Sequence, residues 1–121
     1  MINITRTLIS MLLILMVVSC SKNQTHKQDE VREMILLVGV SPNYPEIAAK
    51  NKIEGSVVLE FLVTKEGIVK DPVVISSNPK GIFEKEAIRA ILKHKFLARS
   101  INEILVDAYA TLKFDFKLTK E

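Results

Sequence analysis

The clearest pattern lies in the last part of the chain. Over residues 104–118, Ile104, Val106, Ala108, Ala110, Leu112, Phe114, Phe116 and Leu118 share one side of a two-residue period. Leu105, Asp107, Tyr109, Thr111, Lys113, Asp115 and Lys117 share the other. Such alternation gives a strand one buried face and one wet face. It predicts a single strand of 15 residues over 104–118, well above the usual length of about five or six. A second alternation runs through residues 55–64, where Val57, Leu59, Phe61 and Val63 line one face. Lys65-Glu66-Gly67 follows as a tight turn in which glycine supplies the positive φ. Residues 68–77 return as the second arm of a hairpin. Pro72 cannot donate to a ladder, so this arm belongs at a sheet edge or at a bulge.

Helical spacing occurs twice. Pro45 can open a helix over residues 45–51, because its missing N–H costs nothing in the first turn. Ile47 and Ala48 would turn inward, and so short a helix must dock on another surface. A longer helix is expected over residues 82–97. Phe83, Ala87, Ala90, Ile91 and His94 form its main apolar stripe, and Ile88, Leu92 and Phe96 a second row. Acids come early and bases late, as the helix dipole favours. Residues 34–40, MILLVGV, read as extended. The expected order is helix, strand, strand, helix, strand. That is an α+β fold: a three-stranded antiparallel sheet with two helices packed on one face, the hairpin's first strand in the centre.

The N-terminus has a different character. Arg6 precedes an apolar run over residues 8–18, which ends at Ser19-Cys20. Eleven residues are too few for a membrane span, which needs about 20, but suit the apolar core of an export signal. Val17-Val18-Ser19-Cys20 resembles the lipobox of bacterial lipoprotein precursors. That resemblance implies cleavage before Cys20 and lipidation of its thiol and amine, two attachments that together anchor stably. Ser21, rather than an aspartate, after the cysteine then favours the outer membrane over the inner. The alternative is an uncleaved apolar anchor with an incidental cysteine. The expected organisation is a signal peptide over 1–19, a lipidated N-terminus and flexible tether over 20–33, and one domain over 34–121.

Composition narrows the function. The net charge is +3 with both signs interspersed and no tryptophan, which gives neither a basic stripe nor stacking platforms for nucleic acid. Cys20, the one cysteine, can make no internal disulfide and no thiolate zinc site. No catalytic constellation, metal site or cofactor loop emerges. His94 sits on an apolar stripe and reads as a packed, hydrogen-bonded core residue. Glu84 and Glu86 are two apart and diverge on a helix. Ser77-x-x-Lys80 contains a proline and reads as a turn.

Residues 38–118 together resemble the TonB C-terminal domain family. The likeness rests on Pro42 with Tyr44-Pro45, Ala48, the Ile53-x-Gly55 step and the valine-rich strand after it. It continues through Lys65-Glu66-Gly67-x-Val69, Phe83-Glu84-x-x-Ala87 with Ala90, Phe96, and the closing Phe114, Phe116 and Leu118. The resemblance implies a non-enzymatic periplasmic domain that takes up an extended segment of an outer-membrane TonB-dependent receptor, or of another envelope protein, along its last strand. The implied contact edge is Leu105, Val106, Asp107, Ala108, Tyr109, Ala110, Thr111 and Leu112. Tyr109 reads equally as a contact or as a cover for the sheet's outer face. Such an edge also permits self-pairing into a homodimer without any transport role. The sequence departs from the family's pattern at three places. His94 stands where a tryptophan is usual, Asn102-Glu103-Ile104-Leu105-Val106 where Gly-x-Pro-Val is usual, and Pro72 where a valine-like residue is common. The family's energy transducers carry an inner-membrane helix and a Pro-rich spacer. Neither pattern occurs in this sequence, which favours docking over coupling to a motor.

Overall fold

The computed structural model describes residues 27–119. The signal segment, Cys20 and the start of the tether lie outside them. The main sheet has the expected topology. β3 (Gly55–Val63) is central, flanked antiparallel by β4 (Val69–Asn78) and β8 (Ala108–Phe116). Val57, Leu59, Phe61 and Val63 are all fully buried. Each such side chain contributes about 1.5–3 kcal/mol relative to exposure. Pro72 lies on edge strand β4 and also at a bulge. The ladder steps from Glu60–Val73 to Leu62–Lys70, leaving Asp71 (φ 51°) and Pro72 outside the pairing.

The turn between β3 and β4 is fixed from three sides. Thr64 O accepts from Gly67 N at 2.7 Å, and Asp107 Oδ1 accepts from Lys65 N at 2.7 Å. Gly67 O accepts from Phe96 N at 3.0 Å. Gly67 has φ 81°, and a Cβ there would strike the Phe96 carbonyl. Glycine is needed at this position for both conformation and space.

Two helices cover the inner face. α1 (Glu46–Lys50) inserts Ala48, which is fully buried, into the core. Ile47 does not turn inward as expected; it is 63% exposed. One short helix has room to bury one row, and Ala48 takes it. α2 (Glu84–Leu92) buries Ala87, Ala90 and Ile91, with Phe83 just before it and His94 just after. Glu84 secures the start of α2. Its carboxylate accepts from Ser77 Oγ at 2.6 Å and from Gly81 N at 2.7 Å. These two bonds, the Ser77 hydroxyl foremost, hold its pKa below the ordinary carboxylate value against a smaller opposing effect of burial.

The expected helix over 82–97 is therefore too long. After Lys93 the chain becomes β5 (Lys95–Leu97), paired with β2 (Ile35–Val38). Phe96 is buried from a strand rather than from a helix row, and Leu92 is exposed. The expected last strand is also too long. Ile104 and Leu105 form β7 (Ile104–Leu105), which folds back on β6 (Ser100–Ile101) through Asn102 and Glu103, at φ 51° and 68°. Two consecutive positive φ values mark the turn of a two-residue hairpin. Val106 N then donates to Arg99 O at 2.9 Å, and β8 starts at Ala108. Ordered pairing also begins before Met34. β1 (Val31–Arg32) joins β6, and Asn102 binds Glu30 through both backbones and through Oδ1.

Candidate functional site

Among the described residues β8 pairs with β3 along one side only. Its other side is an unpaired row of backbone donors and acceptors, the object on which an extended peptide can add. Ala108, Ala110, Leu112, Phe114 and Phe116 point toward the core. Tyr109, Thr111, Lys113 and Asp115 point outward, and Tyr109 is 72% exposed. Tyr109 stands beside Leu62 across the ladder.

A groove of 560 Å³ lies against the second half of β8. Leu112 to Lys117 form one wall and residues 39–42 the other, with Tyr44 and His94 between them. At about 3.4 Å per residue, the five of these on β8, Leu112 to Phe116, offer an edge about 17 Å long. Residues 39–42 make no backbone–backbone hydrogen bond among the described residues, so this wall is not itself a strand of the sheet.

Tyr44 and Phe116 line the groove, backed by the fully buried Phe83. Tyr44 meets Phe83 and Phe116 edge-on at 5.7 and 6.1 Å, and Phe83 stacks on Phe116 at 4.4 Å. The Tyr44 hydroxyl donates to Ile53 O. Burial, and then the Glu54 carboxylate, raises the phenol's pKa above its ordinary value, so it remains a donor. His94 is 3% exposed, as expected of a core histidine. Its Nδ1 lies 2.9 Å from Ala90 O, and Phe96 and Phe114 flank the ring at 6.2 and 5.8 Å.

The residues expected to bind a partner divide between two places. Leu105 is paired with Ser100, Val106 N bonds Arg99, and the Asp107 carboxylate holds the hairpin turn. These three are occupied within the fold. Ala108, Tyr109, Ala110, Thr111 and Leu112 do lie on β8, yet only Leu112 reaches the groove. Sequence reasoning missed Lys113, Phe114, Asp115, Phe116 and Lys117, along with the wall at residues 39–42. Pro42 and Tyr44 carried the available signal, since a proline and an aromatic before a short helix mark a fixed entry path. Among the described residues no cluster of His, Cys, Asp or Glu could hold a metal ion.

Residues 40–118 match the family of Gram-negative bacterial TonB protein C-terminal domains. The chain belongs to this family. It is 35% identical to Protein TonB of Pseudomonas aeruginosa over 79 residues, 65% of this chain and 23% of that protein. It is 37% identical to Protein TonB of Salmonella typhimurium over 57 residues, 47% of this chain and 24% of that one. The chain thus spans about a quarter of the length of these relatives. The solution NMR structure of the Pseudomonas aeruginosa TonB CTD superposes with a TM-score of 0.63 at 31% identity, covering 74% of this chain and 90% of that one. The shared fold is the α+β arrangement described above, with two helices on an antiparallel sheet.

Proposed function

We propose that this TonB C-terminal domain is a binding module that docks an extended segment of an outer-membrane TonB-dependent receptor by adding it as a fourth strand to β8. The observation that carries the reading is the β8 edge, unpaired among the described residues, beside the 560 Å³ groove. Backbone bonds would supply affinity and the groove floor would select alternate side chains. The module acts in TonB-dependent transport from the periplasmic side of the envelope. It is held by lipid on Cys20, at the outer membrane, a reading supported by the short apolar run that ends in Ser19-Cys20.

Titration of the full chain in detergent micelles with peptides from receptor N-terminal segments tests the docking. Amide shifts should concentrate on Leu112 to Lys117 and the facing residues 39–41. If no peptide moves a β8 amide, the reading fails. A concentration-dependent dimer that shifts the same amides without peptide would instead favour self-pairing. For the anchor, Cys20→Ala should abolish labelling by a fatty-acid probe and leave the unprocessed precursor. An unchanged mature mass would refute lipidation.

A further inference from the structure

Docking through the β8 backbone leaves the buried imidazole that lines the groove, His94, without a task. His94 Nδ1 faces Ala90 O at 2.9 Å, and a carbonyl oxygen can only accept, so Nδ1 carries the proton. In the neutral ring Nε2 is then a bare acceptor. Among the described residues no donor meets Nε2, and it is not among the side-chain atoms sealed from solvent without a partner. The ring lines the groove and cannot swing freely, pinned by its bond to α2 and flanked by Phe96 and Phe114. We infer that His94 Nε2 is a selectivity contact that accepts a hydrogen bond from a hydroxyl or amide side chain of the docked strand. The inference rests on the docking proposed above and names the chemistry that the groove prefers.

The pleat fixes which residue of the partner is read. A strand added to β8 alternates in step with it, so its residues opposite Leu112 and Phe114 turn toward the core side. His94 lies on that side, with its ring edge-on to Phe114. A partner with only aliphatic groups there would cover Nε2 and leave an acceptor buried without a donor, which is costly. A serine, threonine, asparagine or glutamine at one inward position satisfies it. An indole at this position, usual in the family, offers only a donor and would place no such demand.

Two measurements on the full chain in detergent micelles test this. Long-range 1H–15N spectra of the imidazole should show Nδ1 protonated and Nε2 bare in the free protein. A proton on Nε2, alone or with Nδ1, overturns the inference whatever any peptide does. Next, a receptor peptide that shifts β8 amides is varied one position at a time, with Thr→Val, Ser→Ala, and Asn or Gln→Leu. One substitution should weaken binding about 5–10-fold and move the Nε2 resonance in the complex. In His94→Phe, which keeps an aromatic ring against Phe96 and Phe114, the same substitution should change affinity less than about twofold. Equal losses in both proteins, or no sensitive position in the wild type, refute the His94 contact while leaving strand docking intact. If no peptide shifts β8 at all, the docking reading falls first and takes this contact with it.

Discussion

Gly55→Ala tests the packing by its sign. Within a strand, glycine to alanine ordinarily stabilises by about 0.5–1 kcal/mol, because glycine loses more backbone freedom on folding. Gly55 opens β3 opposite Phe116, and no left-handed φ restricts it. On propensity alone the substitution should therefore help. The surroundings reverse that expectation. A Cβ on Gly55 would lie 2.7 Å from the Phe83 ring and 2.8 Å from Pro79 Cδ, and would run into the Asn78 carbonyl oxygen. Phe83 is fully buried and stacked on Phe116, so its ring cannot retreat without displacing its packed neighbours. The Asn78 oxygen belongs to the backbone and cannot rotate away. Overpacking of this kind costs about 1–3 kcal/mol. At about 4–8 °C per kcal/mol for a domain of this size, Tm should fall by about 4–24 °C. Equilibrium urea unfolding should show a lower midpoint at unchanged m. Gly39→Ala is the control. There a Cβ would meet only the Leu36 side chain, at 3.3 Å, and stability should stay within about 0.5 kcal/mol. A Gly55→Ala midpoint equal to or above wild type would refute the close packing of β3 on Phe83 and Asn78.

Other substitutions probe separate parts of the fold. Phe83→Ala removes a buried ring in contact with Tyr44 and Phe116 and should cost about 3–5 kcal/mol by urea melt, whereas Ile75→Ala, at an exposed bulge, should cost less than about 0.5 kcal/mol. Asp107→Ala removes the acceptor for Lys65 N; it should cost about 0.5–1.5 kcal/mol and speed hydrogen exchange at the Lys65 amide, and an unchanged exchange rate would exclude this role. Glu84 has a lowered folded pKa, so its stabilisation is complete above the unfolded value of about 4.3 and is lost as pH falls through the folded value. Glu84→Gln should therefore lower stability by about 1 kcal/mol at pH 7 and flatten the acid limb of the stability–pH curve; a mutant curve parallel to wild type would contradict the Ser77 and Gly81 bonds.

The central sheet was legible because its signal is local. Alternation in β3 and in β8, a glycine turn and a proline at an edge each report on their own few residues. Failures came where a distant partner decides. Residues 93–97 continue the helical pattern, yet Phe96 N finds Gly67 O and Lys95 pairs with Val38 and Ile68. None of those partners is near in sequence, and their combined pairing overrides helix propensity. Residues 104–107 continue the strand pattern, yet the Asp107 carboxylate is drawn 42 positions back to the Lys65 amide. The alternation of Ile104 and Val106 is accidental to that choice. Asn102 was the one local clue to the break, since asparagine tolerates the left-handed region. The candidate site was half legible. An edge strand can be read from a pattern, but which half of it faces a groove depends on where residues 39–42 pass, and they carry no regular spacing.

The clasp between Asn102 and residues 29–30 bears on how the domain would carry a load. Any force reaching it from the N-terminal side enters at Asp29, Glu30 and the two-rung pairing of β1 with β6. Force from a docked strand enters along β8, whose nine rungs with β3 run beside it and would share a lengthwise pull. Two rungs in series with nine make a fuse. Under tension the β1–β6 clasp would open first and pay out chain toward Met34, while β8 and whatever lies along it stay in register.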